Sequence, residues 1–172
     1  TLGQGIVDVL KNQHTVVIAG RNSGDVTVDI TRAESIEKMY QAVANIDAVI
    51  CAAGAVRFLD FNTMTEADLM VGLNDKLMGQ VNLVRIGSRY VNENGSFTLT
   101  SGILNHRPIP FSVSAAMVNG ALEGFARAAA LELPRGLRIN VVSPTVLTES
   151  MPVYGKFFNG FEPVSAAHVA AV

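Results

Sequence analysis

The chain of 172 residues has no tryptophan, one cysteine, three histidines and few charges, 13 basic against 15 acidic, for a net charge of −2. Each shortage removes a class of function. A lone Cys51 inside an apolar run excludes an internal disulfide framework and fits a reducing cytosol, so a cytoplasmic location is expected. Without runs of Lys or Arg there is no electrostatic footprint for nucleic acid or for an anionic membrane surface. No apolar run approaches the roughly 18 residues that a membrane span needs. His14, His106 and His168 show no ligand-like spacing with one another or with Cys51, so no metal site is expected. A G-x-S-x-G nucleophile elbow is absent as well.

What remains is an apolar chain, 49% hydrophobic, long enough for one sizeable core and read as a single domain. Residues 2–10 already carry a short helix pattern, apolar at Leu2, Ile6, Val7, Val9 and Leu10. A first strand is therefore expected to lie outside this numbering. The segment Ala166–Val172 likewise stops inside a helical pattern, and a last strand is expected beyond it.

Strand-like runs are His14–Ala19, closed by Gly20-Arg21-Asn22-Ser23-Gly24; Asp25–Ile30; and Ile46–Cys51, the most continuous, ending in Ala52-Ala53-Gly54. Thr31 is expected to cap a helix to about Val43, with Glu34 as its capping-box partner. Thr65 begins a long helix whose stripe Leu69, Leu73, Leu77, Val81 and Val84 keeps helical spacing as far as Val91. From Gly95 to Thr148 the chain reads as strand (Phe97–Thr100), Pro-containing loop, long helix (Ser112–Leu133) and strand (Leu137–Val142). Strands alternate with helices and are apolar on both faces, which predicts a doubly wound α/β domain with a parallel sheet covered on both sides. Ligands in such sheets sit at the carboxyl ends of strands, which directs attention to Ser101 and to the segment after Ser143.

Several residues then become candidates. After the second strand of a dinucleotide fold, an acid favours a free adenosine ribose and an Arg accommodates a 2′-phosphate. Arg21, with Asn22 and Ser23, stands there; the alternative is a solvated turn with an incidental Arg. Leu2-Gly3 can close a phosphate-binding turn at a helix start, where free amides favour pyrophosphate, or can simply be a terminus. Ala52, Ala53 and Gly54 allow close backbone approach to a flat ligand, or plain small-residue packing.

These points together resemble the short-chain dehydrogenase/reductase family, over essentially the whole chain. The matching residues are Gly3 at the end of the Gly-rich turn, Arg21, Asp29, and Cys51-Ala52-Ala53-Gly54 in place of the family's Asn-Asn-Ala-Gly. Thr100-Ser101 falls at the strand that carries the family's catalytic Ser, and Asn119-Gly120 in the helix that follows its catalytic Tyr. The most specific match is Arg138-Ile139-Asn140-Val141-Val142-Ser143-Pro144 with Thr148, against R-x-N-x-x-x-P-G-x-x-x-T. The resemblance implies a Rossmann-type fold binding NADP(H), with Asp29 and Ile30 near adenine and Pro144, Thr145, Val146 and Thr148 around the nicotinamide. It also implies a homodimer or homotetramer formed through the two long helices, a fully internal helix being the alternative.

The departures fall on the chemistry. With Val118-Asn119-Gly120 placed on the family's Ala-Val-x-Gly, its Tyr-x-x-x-Lys falls on Phe111 to Ala115, so the phenol and the amine are both replaced. Gly79 on the Gly of the family's Asn-x-x-Gly puts Lys76 where a water-relaying Asn would be. The chain thus resembles the subgroup that lacks the usual active site. Candidate substitutes are Lys76, on or near the buried Leu73–Leu77 stripe, for proton transfer, or else a Lys that snorkels to water; Ser101, for a substrate carbonyl, or else for backbone groups; and His106, in the loop over the pocket, as a proton donor, or else merely exposed. Tyr90 lies on the wrong side, and Tyr154 belongs to a Gly-rich segment able to fold over the site. The expected function is an NADP(H)-binding oxidoreductase with a non-standard active site, reducing a small carbonyl compound. The alternative is a non-catalytic module that senses NADPH/NADP⁺.

Overall fold

A computed structural model describes residues 1–172. Helix α1 (Leu2–Leu10) precedes two short strands, β1 (Ala19–Gly20) and β2 (Val26–Thr27), and α2 (Ala33–Ala42) leads to β3 (Ile46–Ile50). Next come α3 (Glu66–Val71), a π-helical stretch (Gly72–Leu77) and α4 (Met78–Gly87), end to end, before β4 (Val91–Thr100). Helix α5 (Val113–Glu132) crosses to β5 (Arg138–Val142), and the short α6 (Met151–Tyr154) and α7 (Ala166–Ala170) follow. Every ladder is parallel, β1 with β2 and β3–β4–β5 in that order. Helices α2, α4 and α5 pack against one another and the strands, while α1 packs on α7. This is the Rossmann-type α/β architecture, although its strands form two sheets that share no ladder.

Four expectations are corrected. The run His14–Ala19 pairs only at its end, because local turn bonds take Ile18: its amide donates to Asp25 Oδ2 at 2.8 Å and its carbonyl accepts from the Asp25 amide at 2.7 Å. Strand β3 is not covered on both faces, since Ile50 is 40% exposed at the edge of its sheet, whereas central β4 buries Val91, Phe97 and Leu99. Thr31 does not cap α2. Its hydroxyl and amide both donate to Asp29 Oδ1, and Arg32 occupies the N-cap without a side-chain bond.

Thr65 does cap its helix, in a reciprocal box with Asp68 that satisfies two otherwise unpaired amides. That rod stops at Gly87 instead of reaching Val91. The Arg135 guanidinium donates to the carbonyls of Ser88 and Val91, which closes the turn and sends Val91 into β4. The main core lies between rod, α5 and sheet, around Ile36, Tyr40, Val84, Phe97, Val118 and Leu122. A smaller cluster of Leu104, Ala115, Val146 and Phe158 underlies the loops at the carboxyl ends of β4 and β5.

Register along β3–β4 breaks once. Ile46 pairs with Val91 and Ala48 with Ser96, so residues 92–95 bulge out, with Asn94 at φ +62°. A Cβ on Gly95 would lie 2.5 Å from Val91 Cγ1 and 2.8 Å from the Asp47 carbonyl oxygen, so the bulge requires glycine. Gly95→Ala should therefore lower unfolding free energy by about 2 kcal/mol. Gly3→Ala, in a helix with nothing within 4 Å of the added carbon, should leave it unchanged or raise it by up to about 1 kcal/mol. Urea denaturation of both variants checks the contrast; equal effects would contradict it.

Candidate functional site

Strand β4 ends one residue before Ser101, and the rod brings Lys76 to that point. Lys76 Nζ donates to the Ser101 carbonyl and to Asn119 Oδ1, each at 2.7 Å. The Asn119 amide in turn donates to the Gly102 carbonyl at 3.0 Å. Three elements thus converge on one ammonium. Burial pulls the Lys76 pKa from 10.5 down to about 8, because desolvation penalises its charged form. Gly54 makes room for the side chain: at φ +140°, a Cβ there would sit 2.6 Å from Lys76 Cγ.

Gln80, fully buried one helical turn farther along the rod, fastens the strand ends. Its Nε2 donates to the carbonyls of Ala53 and Thr100, and its Oε1 accepts from the Thr100 amide at 3.0 Å. The Thr100 hydroxyl donates to the Cys51 carbonyl at 2.7 Å. Cys51 itself is a buried thiol whose pKa desolvation raises to about 11, so it stays protonated and is no nucleophile at neutral pH.

The Ser101 side chain faces a second group. Its hydroxyl donates to Glu123 Oε1 at 3.2 Å, and His106 Nε2 lies 3.0 Å from Glu123 Oε2. Desolvation opposes ionisation of Glu123, but the polar neighbours Asn105, His106 and Ser101 outweigh it and lower its pKa. Neither Glu123 nor Asn119 is a candidate from sequence. The signal that finds them is spacing, because Ala115, Asn119 and Glu123 follow at i, i+4 and i+8 on one face of α5. Phe111 precedes that helix at φ +68°, half-exposed against Phe157, while Ala115 is buried in the small apolar cluster. Tyr154 lies tilted against Phe58, which stacks on Phe157. Tyr90 lies away from the site, stacked on Tyr40 and bonded to Glu37.

The remaining candidates distribute around the strand ends. Ala52, Ala53 and Gly54 are exposed after β3, and Arg21, Asn22 and Ser23 are exposed after β1. Arg21 Nη2 pairs with Asp29 Oδ1 at 3.3 Å and with Asp75 Oδ2 at 3.2 Å, a partner that sequence reasoning misses. Asp29 is held below its usual pKa first by the Thr31 hydroxyl and then by the Thr31 amide. Ile30 is buried. Beside Asp75 an open groove of about 820 Å³ runs along Thr31, Thr65, Met70 and Asn74. After β5 the Pro144 carbonyl accepts from the Ile103 amide at 3.0 Å, Val146 is buried and the Thr148 amide donates to Val164. The flanking hydroxyls of Ser143 and Thr145 are buried with no hydrogen-bond partner. Leu2 and Gly3 open α1, and nothing approaches Gly3.

The lowered Lys76 pKa has a consequence for stability. Below about 8 both folded and unfolded chains hold the proton, and the burial cost is complete. Between 8 and 10.5 the unfolded chain binds more protons, so stability rises with pH. Relative to Lys76→Met, the wild type should gain about 2–3 kcal/mol between pH 7 and 10.5 in urea denaturation. A difference that does not change with pH would show that the lysine is not desolvated.

Comparison with known proteins places the chain in a family. A family model described as enoyl-(acyl carrier protein) reductase matches residues 7–171. No curated protein matches the chain. The solved structure of the protein lin1944 from Listeria innocua is 49% identical, covers 99% of this chain and 86% of its own, and superposes with a TM-score of 0.97. A small-chain dehydrogenase in complex with NADPH is 21% identical over 99% of this chain and 83% of its own, with a TM-score of 0.84. A short chain dehydrogenase from Burkholderia cenocepacia in complex with NADP is 20% identical over the same shares, with a TM-score of 0.85. No helix is long and apolar enough to cross a membrane. By its family match and its fold, the chain belongs to the short-chain dehydrogenase/reductase family of oxidoreductases.

Proposed function

We propose that the chain binds NADP(H) at the carboxyl ends of its strands and reduces a small carbonyl compound there, with Lys76 as proton donor. The observation that carries this reading is the buried Lys76 ammonium, aimed across the end of β4 at Ser101 and Asn119. The residues present fit the cofactor. Ser143 and Thr145 offer unpartnered hydroxyls on both sides of Pro144, and Thr148 lies on the same loop, suited to the nicotinamide end. Ala52, Ala53 and Gly54 leave an exposed backbone free of bulk for the ribose, Asp29 and Ile30 suit the adenine, and Arg21, Asn22 and Ser23 suit a 2′-phosphate. Leu2 and Gly3 at the start of α1 suit the pyrophosphate. The small-chain dehydrogenase and the Burkholderia cenocepacia dehydrogenase compared above were solved with NADPH and NADP.

The reading is supported best with the family's frame laid one turn later. Phe111 lies outside α5, whereas Ala115 and Asn119 are one turn apart on it, and Asn119 meets Lys76. Laid one turn later, Tyr-x-x-x-Lys falls on Ala115 and Asn119. Lys76, already standing for an Asn, then reads as an exchange of Lys and Asn between the rod and α5. An amine reaches the same place from the opposite helix.

NADPH, when bound, supplies the hydride. Lys76, with a pKa near 8, carries a proton at neutral pH and gives it to the developing alkoxide, directly or through one water. Ser101 positions the substrate oxygen by turning its hydroxyl from Glu123. A second reading, a sensing module without turnover, is favoured by the lack of a phenol at both Phe111 and Ala115. The exposed Met78, Val113, Met117 and Leu131 on α4 and α5 support a homodimer or homotetramer, and the single, buried Cys51 suits a cytoplasmic location.

NADPH fluorescence titration should give tighter binding than NADH, and Arg21→Ala should remove the difference; equal wild-type affinities would rule out 2′-phosphate recognition. Across a carbonyl panel followed by NADPH absorbance, Lys76→Met should lower kcat at least about a hundredfold. Turnover indifferent to that change would leave an enzyme with another donor. Tight binding with no turnover on the whole panel would favour the sensing reading.

A further inference from the structure

We infer that Asp75 limits selectivity for the phosphorylated cofactor, acting as a built-in electrostatic competitor of the 2′-phosphate at Arg21. The inference rests on the NADP(H) reading above and adds a residue to it.

One guanidinium nitrogen, Arg21 Nη2, serves two carboxylates, Asp29 Oδ1 at 3.3 Å and Asp75 Oδ2 at 3.2 Å. The three side chains sum to a net charge of −1. A phosphate monoester brings a further −1.5 to −2 or so, so the point at which it must dock is negative before it arrives. Two outcomes are open to the ligand, and both cost affinity. It can displace the carboxylates from Arg21, or it can take the Nε/Nη1 edge with both carboxylates only a guanidinium width behind.

The carboxylates differ in what holds them. Asp29 accepts from the Thr31 hydroxyl and amide and is one-third exposed, so it has local partners and solvent screening. Asp75 is 17% exposed, and its Oδ1 accepts from the Ala55 amide at 2.9 Å, which fixes its charge toward Arg21 and shields it from water. A charge so placed is screened least by salt. Asp75 also lies inside the π-helical stretch Gly72–Leu77, one residue before Lys76, and borders the open groove along Thr31 and Asn74. The extra residue of a π-turn gives Asp75 and Lys76 separate directions, one toward the cofactor's phosphate side and one toward the chemistry.

Asp75→Asn keeps an acceptor for the Ala55 amide and removes the charge. In fluorescence titrations it should bind NADPH about five- to tenfold more tightly than the wild type, as one removed repulsion at this range implies, with NADH affinity within about twofold. Asp75→Glu, which keeps the charge, should show no gain. Wild-type NADPH binding with an unchanged or weaker affinity in Asp75→Asn would overturn the inference and leave the NADP(H) reading standing. An equal gain in Asp75→Glu would overturn it too, by pointing to a loosened loop. No NADPH binding by wild type and Asp75→Asn alike would overturn both the reading and the inference.

Discussion

A cationic side chain is buried where β4, the rod and α5 meet, and the site is built to tolerate it. An ammonium removed from water needs acceptors, and Lys76 finds two neutral ones, the Ser101 carbonyl and Asn119 Oδ1. Meeting that need constrains each neighbour. The Ser101 carbonyl has to be available just past β4, the phase of α5 has to bring Asn119 inward, and residue 54 has to lack a Cβ. Gln80 then locks the ends of β3 and β4 to the rod that carries the lysine. The two acceptors do not restore an ordinary lysine, and the surviving desolvation leaves a proton held loosely enough to transfer.

A second charged group hangs on the same stretch of backbone. Asp75 bridges the Ala55 amide and Arg21, while Lys76, the next residue, faces the opposite cluster. An ordinary α-turn separates adjacent residues by about 100°. The π-stretch, Gly72–Leu77, alters that phase locally, and both charged residues lie within it. Structure on either side is ordinary α-helix, capped at Thr65 and ended at Gly87.

Much of this was legible in the amino-acid order. Alternating strands and helices, Ser101 at a strand end, Lys76 on the buried side of the rod and the loop after Ser143 all follow from periodicity and punctuation. Illegible features depend on partners far away in sequence. Thr31 and Thr65 look alike as caps, yet Asp29 claims Thr31 and leaves Thr65 to its box with Asp68. The partners of Arg21 include a residue 54 positions on, and no local pattern announces it. Helix phase hid Asn119 and Glu123, which share a face with Ala115 only once the start of α5 is placed at Val113. The π-stretch has no sequence signature, and its phase shift is what a regular apolar stripe from Leu69 to Val84 conceals.

The loss of the family's Tyr and Lys from their usual helix looks, in sequence, like the loss of the reaction. On the proposed reading it is only half of that. Proton delivery depends on where an acidic N–H lies and how firmly it is held, not on which helix supplies the stem. An exchange that puts Lys on the rod and Asn on α5 keeps an amine and an amide side by side, 2.7 Å apart, and each retains a hydrogen-bonding role. The phenol has no such replacement: Phe111 lies beside Phe157 and Ala115 is sealed in an apolar cluster. On that same reading, with the phenol gone, the amine itself serves as the acid. A lysine with an ordinary pKa would give up its proton too reluctantly for that task, so on the proposed reading the burial that costs Lys76 its solvation also suits it to act alone.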